Sequence, residues 1–162
     1  MITPPLGLAF TRTIVIDPTL VVPSLPAAFP VMADMPPVFA TAFMVAFIEA
    51  ICIEALAPYL EAEEGTVGTS VEMSHSGATP VGLRATAEVE LVQVEGHKLR
   101  FRVNCRDQVE PIDQGWHERF LIDRAPSSRV NPGSVWPCRA LWLQRALSPP
   151  PASSSRHASA LS

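Results

Sequence analysis

The sequence predicts an α+β fold in which one antiparallel sheet wraps a single long helix, and three observations carry that expectation. The stretch "VFATAFMVAFIEAICIEALA", residues 38 to 57, is apolar almost all round, so both of its faces should meet protein. After residue 65 the hydrophobic period changes from 3.6 to 2 and holds for about four strands. The chain has 162 residues, 48% hydrophobic and 17% charged, which is room for one domain with a real core.

Each element has its own signal. An early strand is expected around "FTRTIVID", before the helix. Pro36 and Pro37 stand where the helix should begin, because a missing N–H costs little there, and Pro58 stands where it should stop or kink. In "GTSVEMSHSG", residues 68 to 77, Thr69, Val71, Met73 and His75 would point one way and Ser70, Glu72 and Ser74 the other. Leu83, Ala85, Ala87 and Val89 then alternate with polar residues, the phase slips near Leu91 and Val92 as a bulge would make it, and "VEGHK" turns the chain. Leu99, Phe101, Val103 and Cys105 form the hairpin partner. A last strand, "WHERFLID" from 116 to 123, follows a loop containing Pro111 and Gly115. This order suits the hotdog arrangement, whose sheet edges and remaining helix face call for a homodimer.

Composition narrows the function. Sixteen acidic and twelve basic residues give a net charge of -4 without a basic stripe, so nucleic acid is not an expected partner. Cys52, Cys105 and Cys138 show neither a metal-ligand spacing nor an even number for a disulfide framework, which fits a reducing cytoplasm and no bound metal. The start "MITPPLGLAF" lacks the charged and apolar regions of a signal peptide. Residues 38 to 57 have the length of a membrane span, but Glu49 and Glu54 fall inside it, and a central acid costs roughly 2.5 to 3.5 kcal/mol on insertion. A buried helix of a soluble fold is expected instead.

Two polar residues stand in apolar patterns. His75 ends the core-facing side of its strand, where a neutral imidazole still needs partners for both nitrogens. Glu49 sits inside the apolar helix, where an unpaired acid is expensive. Taken alone, His75 could be a satisfied core histidine, Glu49 a structural hydrogen bonder, Thr41 a helix cap and Gly68 a bulge residue.

The segments "VFATAFM", "APYLE", "HSGATPVGL", "VEG" and "HER" together resemble the fluoroacetyl-CoA thioesterase family of hotdog proteins, over roughly residues 5 to 124. The resemblance implies a dimeric acyl-CoA hydrolase with a Thr, Glu, His catalytic set, which falls on Thr41, Glu49 and His75. It also implies substrate contacts at Gly68, where no Cβ blocks the strand backbone, and at Arg119 of "HER", which would hold the CoA or a polar acyl substituent. Coenzyme A enters as part of the substrate, with no cofactor beside it. Thr41 and Glu49, eight residues apart, lie about 12 Å along a helix and ~80° around it, so they bracket a substrate that His75 meets from the sheet. Glu49 would be base or nucleophile, Thr41 would position or attack, and His75 would act as general acid and base.

The chain departs from the family where the fluoroacetyl-specific enzyme carries phenylalanines before the helix. Met32 and Met35 stand there, and looser packing points to a broader or different small acyl group. His117 is read as structural, His97 as a turn residue, and Cys52 has no mark of a nucleophile. Residues 1–124 form the expected hotdog thioesterase domain. Residues 125–162 hold no acidic residue, four arginines and six prolines, the composition of a disordered tail. A hotdog that binds acyl-CoA without turning it over, as a sensor, is the rival reading. An enoyl-CoA hydratase would want an Asp and a His a few residues apart on the helix segment, and that pair is missing.

Overall fold

The computed structural model describes residues 2–25 and 29–124. The tail expected from residue 125, with Cys138 and His157, lies outside them. Five strands, β1 (Ala9–Val15), β2 (Glu64–Met73), β3 (Arg84–Glu95), β4 (Lys98–Arg106) and β5 (Pro111–Asp123), form one antiparallel sheet in the order β1-β3-β4-β5-β2. The helix α1 (Thr41–Leu56) packs Met44, Phe47, Ile48, Ile51, Cys52, Ala55 and Leu56 against it. By length and composition α1 and its continuation to Tyr59 could cross a membrane, yet here one side of the helix fills the core of the sheet.

The alternation read in β3 and β4 is the inner face of the sheet. Ala85, Ala87, Val89 and Leu91, with Leu99, Phe101, Val103 and Cys105 opposite, are buried. The register shifts between Leu91 and Gln93, so Val92 is the extra residue of a bulge at the place where the phase slips. The hairpin turns through Gly96 and His97, with Gly96 at φ 56°, a value that glycine adopts without a Cβ penalty. On the outer face Lys98 and Arg100 approach Glu118 at 3.0 and 3.9 Å, and the Arg100 guanidinium stacks 4.7 Å from the Trp116 ring centre.

Three boundaries differ from the sequence reading. Pro36 and Pro37 precede the helix rather than open it. The chain first runs extended through Val38 and Phe39, which bridge to Pro80 and Val21, and the helix begins only when Ala40 has donated to the Leu20 carbonyl. Next, β5 begins at Pro111 and takes in the expected loop. Proline is tolerated at a strand's first residue, and Gly115 is required because a Cβ there would fall on the Glu72 carbonyl of β2. Finally, β2 ends at Met73, short of His75, and its register shifts between Gly68 and Ser70. Thr69 is thus the extra residue of a bulge and leaves the row of Val71 and Met73, which pair with His117 and Gly115.

Because β2 backbone occupies the space beside Gly115, Gly115→Ala is expected to lower unfolding stability by about 2 kcal/mol or more, measured by urea denaturation.

Candidate active site

The inner face of β5 departs from its neighbours. Where β3 and β4 present apolar side chains to the helix, β5 presents Asp113, Gly115, His117 and Arg119. Asp113, His117 and Arg119 are buried, and a sheet does not place three such side chains against an apolar helix without polar partners.

Arg119 finds them on β2 and β5. Its Nε donates to Thr66 Oγ1 at 2.9 Å, Nη2 to the Thr66 carbonyl at 2.8 Å and Nη1 to His117 Nε2 at 3.1 Å. Burial lowers its pKa from the ordinary arginine value, with Glu49 and Cys52 opposing. His117 Nδ1 lies 2.9 Å from the Ser70 carbonyl, which can only accept, so Nδ1 carries the proton and Nε2 is the acceptor for Arg119. Burial first, and Arg119 second, push the His117 pKa down, and the ring is neutral at pH 7.

Glu49 reaches this pair from α1. Its Oε1 lies 3.8 Å from His117 Nε2 and 4.0 Å from Arg119 Nη1, and 37% of its side chain is exposed. Since the imidazole is neutral, the 3.8 Å contact is not an ion pair, and Arg119 supplies the nearby charge. A Cβ on Gly68 would overlap Glu49 Oε1 and come 3.1 Å from His117 Cε1. Gly68 therefore gives the carboxylate its place.

Two turns earlier on the helix, Thr41 Oγ1 lies 2.8 Å from His75 Nδ1. Ala40, not Thr41, is the helix cap, and no side chain caps the first turn, so the Thr41 hydroxyl is free for the imidazole. His75 sits on a loop tied at both ends. Ser76 N–H donates to the Ile112 carbonyl of β5 at 2.9 Å, and the Thr79 carbonyl accepts from Phe39 N–H at 2.8 Å just before the helix. The buried Thr79 hydroxyl donates to Asp107, which also accepts the Val109 and Glu110 N–H groups. The Phe39 ring meets His75 edge-on at 6.3 Å. Burial lowers the His75 pKa, and its Nε2 is buried without a hydrogen-bond partner in the described residues.

The structure thus pairs His75 with Thr41, and Glu49 with His117 and Arg119. Gly68 and Arg119 belong to the Glu49 cluster, with Arg119 pointing inward at 2% exposure. Met32 closes a short 3-10 turn, Pro30–Met32, and Met35 is 48% exposed. Both lie on the segment leading to α1, outside these hydrogen-bonded clusters. Burial pushes the Cys52 and Cys105 thiols up to about 12, so neither is a thiolate at neutral pH. Among the described residues no group of His, Cys, Asp and Glu is arranged to hold a metal ion.

Residues 23–125 match the family described as fluoroacetyl-CoA-specific thioesterase. The chain is 45% identical over 116 residues to the fluoroacetyl-CoA thioesterase of Streptantibioticus cattleyicolor, covering 72% of this chain and 84% of that one. The chain belongs to the fluoroacetyl-CoA thioesterase family. A crystal structure of the fluoroacetyl-CoA thioesterase superposes with a TM-score of 0.74 at 37% identity, over 91% of this chain and 99% of that one. A Thermus thermophilus protein of the thioesterase superfamily, 24% identical over 88% of this chain and 92% of its own, superposes at 0.66 and shares the fold. This family member is a hotdog-fold thioester hydrolase.

Three further residues shape the family member's site: Thr66, Phe39 and His117, the last read from the sequence as structural. Thr66 and Phe39 carried no signal of their own. His117 did: two residues from Arg119 on one strand, it must share Arg119's face.

Gly68→Ala is expected to displace the carboxylate end of Glu49 rather than unfold the sheet. Activity should fall by about tenfold or more while stability changes by less than about 1 kcal/mol, checked by initial rates and urea denaturation on one preparation.

His75 and His117 both titrate below the ordinary value when folded, so the unfolded chain binds protons first as pH falls. Their contribution to stability is complete above about pH 6.5 and is lost as pH drops below it. Denaturation midpoints should therefore fall between about pH 7.5 and 5.5, and His117→Leu should shrink that difference.

Proposed function

We propose that the protein hydrolyses a short acyl-CoA as a cytoplasmic homodimer, with Thr41, Glu49 and His75 as its catalytic set. The observation that carries this reading is the 2.8 Å pairing of Thr41 with a neutral imidazole, on the same helix as a half-buried carboxylate held beside a glycine. Thioester hydrolysis breaks the acyl C–S bond, adds the water oxygen to the acyl carbon and returns a proton to sulfur. His75, neutral at pH 7, can take a proton from Thr41 or from water and give it back to the leaving thiol. Glu49 lies two turns on, where it serves as base or as nucleophile toward the same carbonyl. The cation of Arg119 stands 4.0 Å behind it.

Other features support the finer parts of the proposal. A variant of the fluoroacetyl-CoA-specific thioesterase, 44% identical, was crystallised with fluoroacetate and CoA, which supports CoA as the thiol carrier here. Methionines at 32 and 35 support an acyl preference less strict than for the fluorinated group. The helix leaves Ala42, Ala46, Ala50 and Ile53 exposed, and β2 is a sheet edge with Val71 46% exposed, surfaces that a second copy would cover. Cys52 and Cys105 are free, as a reducing compartment would leave them. The packed face of α1 supports a soluble rather than a membrane-spanning role.

The test is thiol release from acetyl-, fluoroacetyl- and longer branched or aromatic acyl-CoAs. Acetyl- and fluoroacetyl-CoA should turn over with kcat/KM within about tenfold of each other, and Thr41→Val and His75→Ala should each lower kcat by about 100-fold with dimers intact. Saturable binding of one acyl-CoA with no thiol released from any would make the protein a sensor.

A further inference from the structure

His117 has more hydrogen bonding than a space-filling residue needs. It is fully buried, paired across the sheet with Phe101 on one side and Val71 on the other, where a leucine would pack without polar cost. Instead its Nδ1–H is spent on the Ser70 carbonyl and its Nε2 on Arg119 Nη1 at 3.1 Å. That second bond has a consequence for Glu49. The same Nη1 stands 4.0 Å from Glu49 Oε1, beyond hydrogen-bond reach, while the other guanidinium nitrogens are engaged by Thr66.

We propose that His117 is a positioning residue for Glu49: by accepting an Arg119 Nη1–H it holds the guanidinium back from the carboxylate. A direct guanidinium–carboxylate hydrogen bond would take a lone pair of Oε1, the oxygen facing the cluster, and make the carboxylate a weaker base or nucleophile. A cation 4.0 Å away attracts the carboxylate without taking a hydrogen bond from it. His117 thereby sets the distance between the charge and the reacting group.

Thr66 anchors the other two guanidinium nitrogens, and among the described residues His117 is the group that accepts from Nη1, the nitrogen facing Glu49. From α1 the cluster meets Glu49 and the protonated thiol of Cys52, and from β2 it meets Thr66, the Ser70 carbonyl and the bare backbone of Gly68. From β4 it meets Leu99 and Phe101, apolar partners of Arg119 and His117. Glu118 lies on the outer face with Lys98 and Arg100.

The inference rests on Glu49 being the reacting carboxylate, and two isosteric variants test it. His117→Asn keeps a donor for the Ser70 carbonyl and loses the acceptor for Arg119, whereas His117→Gln can offer its side-chain oxygen to Arg119. With His117→Asn, kcat should fall by about tenfold or more, KM should stay within about threefold, and the acid limb of the kcat/KM profile should move to lower pH as Arg119 closes on Glu49. His117→Gln should recover kcat to within about threefold of wild type and return the acid limb. Equal losses in the two variants that follow their unfolding midpoints, unchanged kcat in His117→Asn, or an acid limb that stays or moves to higher pH would overturn the inference. If Glu49→Gln turns over like wild type, the functional reading fails and the inference with it. If Glu49→Gln is inactive and His117→Asn behaves as wild type, the inference alone fails.

Discussion

A guanidinium placed between a sheet and an apolar helix must satisfy its donors inside the protein, and that requirement at Arg119 organises the site around it. Two of its nitrogens are met by the hydroxyl and carbonyl of Thr66 and the third by His117. Thr66 can serve because β2 runs beside β5 in register as far as Gly68, and Ser70 can hold His117 because a bulge at Thr69 resets the strand beyond it. Glu49, on the sheet-facing side of a largely apolar helix, has this positive charge 4.0 Å away. Remove the cation and the carboxylate loses the charge that faces it from the sheet.

The second half of the site depends on how the helix begins. Phe39 is clamped between the 79–80 loop and Val21, and Ala40 is bonded to Leu20, so the first helical residue has a fixed position before the helix starts. The loop that carries His75 shares that clamp through Thr79 and is fastened to β5 through Ser76. The Thr41–His75 pair is thus braced by backbone bonds on both sides, a more rigid arrangement than two side chains meeting from free loops. One strand links the halves: β5 supplies Ile112 to the His75 loop and Arg119 to Glu49.

Much of this was legible in the residues. The period-2 rows of β3 and β4 and the slip at Val92 can be read directly, because each inner position is apolar and each outer one polar. The helix was legible from its apolarity, although its start was not: the prolines at 36 and 37 look like first-turn residues, and only the tertiary bridges to Val21 and Pro80 extend the chain past them. β5 was cut short because Pro111 and Gly115 read as loop residues, whereas Gly115 answers to a neighbouring backbone that no local pattern reveals. The family resemblance brought out Thr41, Glu49 and His75 as groups bracketing a substrate, and the fold adds their contacts: Thr41 meets His75, and Glu49 faces His117 and Arg119. His117 could be placed on Arg119's face by its spacing, but its burial was not legible, because a polar inner row breaks the hydrophobic alternation that marks a buried face.

In the proposed reaction Glu49 takes part in breaking the thioester and does not merely hold the fold. Single-turnover thiol release, with Glu49→Gln in excess over a short acyl-CoA that wild type hydrolyses, separates chemistry from binding and from product release. The expected result is a rate of chemistry lower by about 100-fold or more, with acyl-CoA bound about as tightly as by wild type. Thiol release by Glu49→Gln within a few-fold of the wild-type rate would contradict the account.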